Sequence, residues 1–282
     1  MQYRTAQIDG LDVFYREAGD RSKPTLVLLH GFPTSSIAYQ ELIERLSDEY
    51  HLVAPDYPGF GHSSAPLDWE YTFDRLADVV DGLLDSLGLT RYAIYVHDYG
   101  APVGFRLAVR HPERITGIIT QNGNAYEEGL TPFWDPFKEL WREPTAERQA
   151  PLRAFFSAEA VRWQYTHGVK DAALVNPDKG ALDFALLERP GMHEIQLALF
   201  ADYGKNVGLY PLWQQYLRDH QPPVLAVWGR HDEIFGPDGA PAFLRDVPGA
   251  RVQLIDAGHF ALETRLDQIA GLVREFLRGL SD

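Results

Sequence analysis

The stretch Ile94-Tyr95-Val96-His97-Asp98-Tyr99-Gly100-Ala101-Pro102-Val103-Gly104 places one carboxylate where an apolar run gives way to small residues. A strand that ends in a tight turn and opens directly into a helix presents its turn residue clear of the backbone. This is the geometry of a nucleophile elbow, usually written G-x-S-x-G. Asp98 holds the elbow position, with Val96 in place of the leading glycine and Gly100 as the trailing one. Two later loops, Trp228-Gly229-Arg230-His231-Asp232 and Asp256-Ala257-Gly258-His259-Phe260, add an acid and a histidine, each after an apolar run. The chain order nucleophile, acid, histidine suits nucleophilic catalysis, with His259 as general base and Asp232 as its orienting partner. A fourth loop, Leu29-His30-Gly31-Phe32-Pro33-Thr34-Ser35-Ser36, bends so as to turn the Phe32 N–H toward the same site. An Asp before a helix is by itself most often an N-cap, worth about 0.5–2 kcal/mol, and a lone His at a strand end is usually structural. The four features together, in order, favour chemistry.

Such residues need a frame that brings distant loops together. Gln2–Ile8 and residues 11–16 alternate in polarity around Asp9-Gly10 and predict a hairpin. Apolar runs at Thr25–Leu29, His51–Pro55, Tyr92–His97, 115–120, 223–228 and Arg251–Ile255 each read as a buried parallel strand. Segments of helical period lie between them, at about 37–48, 72–88, 99–111, 239–246 and 262–279. The alternation predicts an α/β fold, a mostly parallel twisted sheet flanked by helices, with ligands bound at the carboxyl ends of its strands. It breaks between Asn124 and Gln221, a stretch without a convincing strand that carries four of the six tryptophans, Trp134, Trp141, Trp163 and Trp213. The expected organisation is a core of residues 1–123 and 222–282 with a helical cap over 124–221.

Composition limits the partners. The 282 residues carry a net charge of −14, which repels phosphate backbones and anionic membrane surfaces, so neither nucleic acid nor membrane is expected as a partner. No run approaches a membrane span and no signal peptide is visible, so the default location is cytoplasmic. Without cysteine there is neither disulfide nor thiolate chemistry. The histidines lack the spacing of a metal site and no glycine-rich phosphate loop follows a strand, so no metal or organic cofactor is expected. His30, His62, His97 and His231 read as hydrogen-bonding groups that shape loops, and Asp256, three residues before His259, reads as structural.

On the elbow, the His30-Gly31-Phe32-Pro33 loop and the order of Asp98, Asp232 and His259, the sequence resembles the α/β-hydrolase superfamily. The likeness is to its Asp-nucleophile branch of epoxide hydrolases, haloalkane dehalogenases and fluoroacetate dehalogenases. The resemblance covers nearly the whole chain and weakens across 124–221, the place of that family's cap. It implies attack by Asp98 on an sp³ carbon, an alkyl ester on the enzyme, and hydrolysis of that ester by water that His259 deprotonates. The backbone N–H groups of Phe32 and Tyr99 would hold the oxyanion, an effect of about 2.7–4 kcal/mol per donor. The substrate would be small and apolar, consumed with water, and the protein a monomer or homodimer.

The subfamilies differ in what steadies the leaving group. Haloalkane dehalogenases carry Trp directly after the nucleophile and often Asn in the first loop, where this chain has Tyr99 and Phe32. A tryptophan such as Trp163 could replace one halide donor. Fluoroacetate dehalogenases place Arg one and four residues after the nucleophile, and here stand Tyr99 and Pro102, neither able to grip a carboxylate. Epoxide hydrolases use two cap tyrosines as proton donors. Ala201-Asp202-Tyr203-Gly204-Lys205-Asn206 resembles the surroundings of one, which marks Tyr203. The other aligns with Phe137, and Tyr165 is its candidate substitute. Either tyrosine could equally be a packed aromatic. Epoxide opening is the leading expectation and halide release the alternative. An esterase or a non-catalytic ligand-binding member of the fold is the third reading.

Overall fold

The computed structural model describes residues 1–280. Strands β1 (Gln2–Ile8) and β2 (Leu11–Ala18) form the expected hairpin. Asp9 and Gly10 both have positive φ, 49° and 81°, the two-residue turn whose twist matches the strands it joins. The remaining strands are β3 (Thr25–Leu29), β4 (His51–Pro55), β5 (Tyr92–His97), β6 (Ile115–Gln121), β7 (Val224–Gly229) and β8 (Arg251–Ile255). They make one eight-stranded sheet in the order β1-β2-β4-β3-β5-β6-β7-β8, parallel from β4 to β8.

β4, β5 and β7 are buried along their whole length, because helices cover both faces. The expectation of burial fails for β8. It is the sheet's edge, paired only with β7, and Arg251, Gln253 and Leu254 are exposed.

Around the sheet pack α1 (Gln40–Leu46), α2 (Phe73–Ser86) and α3 (Gly100–Arg110). Thr72 caps α2 by accepting the Arg75 N–H. The helix turns Phe73, Leu76, Ala77, Val80, Leu83 and Leu84 inward at helical spacing. Every residue of α3 from Gly100 to Ala108 is buried. Its small residues permit this: a Cβ at Gly104 would stand 2.6 Å from Val96 Cγ1.

Between β6 and β7 the chain forms α4 (Asp135–Arg142), α5 (Ala146–Gln149), α6 (Ala158–Thr166), α7 (Pro177–Leu187) and α8 (Met192–His220). Helix α8 is bounded by Gly191 and Gln221, both left-handed. Its residues tie this insert to the sheet layer. Asp202 accepts the Phe73 N–H at the start of α2 (2.8 Å), and Asn206 accepts from the buried Arg106 guanidinium of α3 (2.7 Å). Helices α9 (Gly239–Asp246) and α10 (Ala261–Arg278) complete the fold. Among the described residues no helix is long and apolar enough to cross a membrane.

Candidate active site

Asp98 sits between the last residue of β5 and the first turn of α3 with φ of 51°, a left-handed conformation uncommon for a residue with a side chain. The turn is fixed by close packing. A Cβ at Gly100 would lie 2.0 Å from the Leu29 carbonyl oxygen, so only glycine lets α3 start there. The same logic operates at Gly31, where a Cβ would lie 2.3 Å from Asp98 Cβ and 2.6 Å from its Oδ1. The bend of that loop delivers the Phe32 N–H, which donates to Asp98 Oδ1 at 2.7 Å. The Tyr99 N–H, at the positive end of α3, also lowers the Asp98 pKa.

His259 comes from the loop after β8 and Asp232 from the loop after β7. The His259 Nδ1–H donates to Asp232 Oδ2 at 2.8 Å, which leaves Nε2 as the free nitrogen. Nε2 faces Asp98 Oδ2 at 3.7 Å, too far for a hydrogen bond, and has no other partner among the described residues. Asp232 is itself held on three sides, accepting the Ile234 N–H on Oδ1 (2.7 Å) and the Asn122 amide on Oδ2 (2.7 Å). All three side chains are buried, so they interact outside bulk water.

Burial pushes the Asp98 carboxyl above its usual range, and the His259 charge and the Phe32 and Tyr99 N–H groups pull against that without cancelling it. Burial pulls the His259 imidazolium down, but the Asp232 carboxylate, by charge and hydrogen bond, and the Asp98 charge outweigh it and raise its pKa. A buried carboxylate whose oxygen is polarised by two N–H groups, facing the free nitrogen of an acid-anchored imidazole, can attack an electrophilic carbon. The same imidazole can then activate water against the resulting ester.

Two residues that sequence reasoning passed over organise this centre. The loop Gln121-Asn122-Gly123-Asn124 offers no carboxylate, yet Asn122 bonds Asp232 and accepts the Gly229 N–H (3.0 Å). Its φ of 48° suits asparagine, and that left-handed strand-end Asn is the only signal the sequence could have carried. Asp56, wholly buried, accepts the N–H groups of Ser36 and His62, both at 2.8 Å, and so locks the loop after β3 to the loop after β4.

His97 and Gln121 both donate to the His259 carbonyl, at 3.1 and 3.2 Å, and the Tyr95 hydroxyl holds Gln121 in turn (2.6 Å). Burial and the His259 charge hold His97 well below the ordinary histidine pKa, so it stays neutral. His30 bonds the Gly31 carbonyl, and exposed Asp256 bonds His231.

The candidates from the insert divide. Tyr203 is fully buried, its ring 5.8 Å from that of Tyr99, and burial, then the neighbouring Tyr210 hydroxyl and the Asp98 charge, raise its pKa. Tyr165 stacks on Phe260 at 4.0 Å, but its hydroxyl donates to Asp183 (2.5 Å). Trp163 stacks on His167 and Phe133. Phe137 packs on Phe200, which in turn meets Phe32. Among the described residues no group of His, Asp and Glu is arranged to hold a metal ion.

The sequence model of a family described as "alpha/beta hydrolase fold" matches residues 24–266. An uncharacterized hydrolase of Saccharomyces cerevisiae is 47% identical over 266 residues, covering 93% of this chain and 92% of its own. Haloalkane dehalogenase 2 of Mycobacterium tuberculosis is 29% identical, over 89% of this chain and 87% of its own. Epoxide hydrolase 3 of Xenopus tropicalis is 26% identical, over 95% and 75% respectively.

Proposed function

Because the chain belongs to the α/β-hydrolase fold family, we propose that it is a hydrolase that forms an alkyl ester on Asp98 and that its substrate is a small apolar epoxide. The observation that carries this reading is the environment of Asp98: Phe32 N–H on one oxygen at 2.7 Å, His259 Nε2 3.7 Å from the other, and Asp232 on the far nitrogen. Asp98 attacks a ring carbon and the carbon–oxygen bond opens onto a proton donor. Water, losing its proton to His259, then attacks the Asp98 carbonyl carbon while the Phe32 and Tyr99 N–H groups hold the oxyanion. Asp232 orients the imidazole and stabilises its charged form. Residues 124–221 act as the cap that walls off the substrate from water.

Epoxide is preferred to halide because Tyr99 and Phe32 stand where a halide site would place donors, and because the Tyr203 hydroxyl is buried without a hydrogen-bond partner among the described residues. Carbon–halide hydrolysis is the second reading, favoured by the name of the mycobacterial relative. The test uses His259→Gln, which blocks ester hydrolysis. Styrene oxide should then add its full mass to the peptide that contains Asp98, and the parent should release diol. Halide release from haloalkanes, with no diol from any epoxide, would sink the epoxide reading in favour of the second.

A further inference from the structure

An epoxide oxygen needs a proton as its bond to carbon breaks, and Tyr203 alone leaves that oxygen with one partner. Buried hydroxyls without partners are rare, because each costs about 1–3 kcal/mol of lost hydration. Two of them belong to neighbouring rings here. The hydroxyls of Tyr99 and Tyr203 are both buried and neither makes a well-formed hydrogen bond among the described residues, although the Tyr210 hydroxyl, held by Asn124, lies beside that of Tyr203. Their rings lie 5.8 Å apart at 32°, and the edge-on ring of Phe73 touches both, at 4.8 and 5.5 Å. Trp134 stacks on Tyr203 at 4.6 Å, and Phe32, whose N–H bonds Asp98, lies 6.0 Å from Tyr99. Tyr99 is also the residue next to the nucleophile. Thr34, Tyr57, Tyr92 and Thr264 also carry buried hydroxyls without partners among the described residues, but the Tyr57 ring lies flat on His30 at 4.1 Å in the loop after β4, and Tyr92 opens β5 at the end away from Asp98.

Resting on the epoxide reading above, we infer that the Tyr99 hydroxyl is the proton donor to the opening epoxide and that Tyr203 donates the accompanying hydrogen bond. One donor then comes from the elbow itself and one from the insert. Asp98 Oδ forms the ester bond, the epoxide carbon–oxygen pair passes to oxygen, and that oxygen takes the Tyr99 proton. Water later gives one proton to His259 and its hydroxide to the ester carbonyl. The tetrahedral adduct expels the product oxygen, which takes the remaining proton of the attacking water as Asp98 regains its carboxylate; the diol departs, and the His259 proton restores the Tyr99 phenol. The electrostatics support this order. Beyond burial, the Asp98 charge is what holds the Tyr99 pKa up. Alkylation neutralises that charge, so the phenol becomes more acidic as the alkoxide forms.

Labelling of Asp98 by styrene oxide in the His259→Gln background, followed by intact mass, tests this. Tyr99→Phe should slow labelling by about 100-fold, the scale of general acid catalysis, and Tyr203→Phe by about 10-fold, the scale of one lost hydrogen bond. Tyr99→Phe should keep or raise the melting temperature, since it removes a hydroxyl without a partner. Labelling at the parent rate in Tyr99→Phe overturns the inference and leaves the Asp98 ester standing. A slow Tyr57→Phe beside a fast Tyr99→Phe overturns it likewise, as does a clear drop in the melting temperature of Tyr99→Phe. If styrene oxide never labels Asp98 in the parent background, the proposed function falls and takes this assignment with it.

Discussion

Asp98 works under opposing pressures: burial favours its neutral form, and the proposed chemistry needs it ionised. Alkylation should therefore fall on acidification through a pKa above the ordinary 3.8 of an aspartate. Removing the neighbouring positive charge raises that pKa further, so the acid limb of labelling in His259→Gln should lie at higher pH than in the parent. Stopped-flow alkylation measured from pH 4 to 9 checks the direction. Ester hydrolysis needs neutral His259, whose pKa burial lowers and Asp232 and Asp98 raise in the resting protein; alkylation removes the Asp98 contribution, so hydrolysis should slow as pH falls through a pKa below the resting one. Gly31 offers a steric test. Gly31→Ala would put a methyl 2.3 Å from Asp98 Cβ and must displace that carboxylate. A misplacement of this size costs about 100-fold, and single-turnover labelling at the parent rate would contradict the packing described here.

At the scale of elements, α7 is fastened to the core by a buried ion pair. Lys179 reaches Glu263 of α10 at 2.7 Å and Glu41 of α1 at 3.1 Å, and the Lys179 and Glu263 side chains are 9% and 2% exposed. Cutting one member strands the other. Lys179→Met should destabilise the fold by about 3 kcal/mol, whereas Lys179→Met with Glu263→Met should recover most of the loss. Urea unfolding of the two variants measures it, and equal stability would show the pair to be idle. Helix α8 docks on α2 and α3 through the hydrogen bonds of Asp202 and Asn206, and on α9 through the Arg218–Asp246 pair at 2.7 Å. The two helices on either side of α7 also differ in what they offer the site. α6 commits its Tyr165 hydroxyl to Asp183, whereas α8 brings Tyr203 to Tyr99.

For the whole molecule, Asp183 ties stability to pH. It is fully buried on α7 and carries a pKa raised to about 7. Burial is the main cause and the Glu263 charge adds to it, while the Tyr165 and Thr34 hydroxyls and the Lys179 charge pull the other way. Between 3.8 and about 7 the unfolded chain has released this proton and the folded chain has not, so stability falls as pH rises through that window and levels off above it. A pKa difference of that size corresponds to at most about 4 kcal/mol. Asp183→Asn should thus match the parent near pH 4 and melt higher at pH 8. The rest of the net charge of −14 acts on both proteins alike, so the difference between their melting curves isolates Asp183. Parallel curves across the range would refute this role.

How much of this was legible beforehand follows from the range of the interactions. β3, β4, β5 and β8 begin and end where their apolar runs do, and the hairpin lies at Asp9-Gly10, because alternation and turn chemistry are local. The elbow could be read at Asp98 because small residues must follow a turn that packs a helix against a strand. That β8 is an exposed edge was not legible, since an apolar run does not say whether a strand has one neighbour or two. Nor was the hold of Asn122 on Asp232, which joins residues 110 positions apart. The residue types and their order along the chain determined which groups could react. Tertiary packing alone decided that the Tyr165 hydroxyl would bond Asp183 and that the Tyr203 ring would lie beside Tyr99, because a side chain's neighbour depends on where two helices dock and not on the sequence around it.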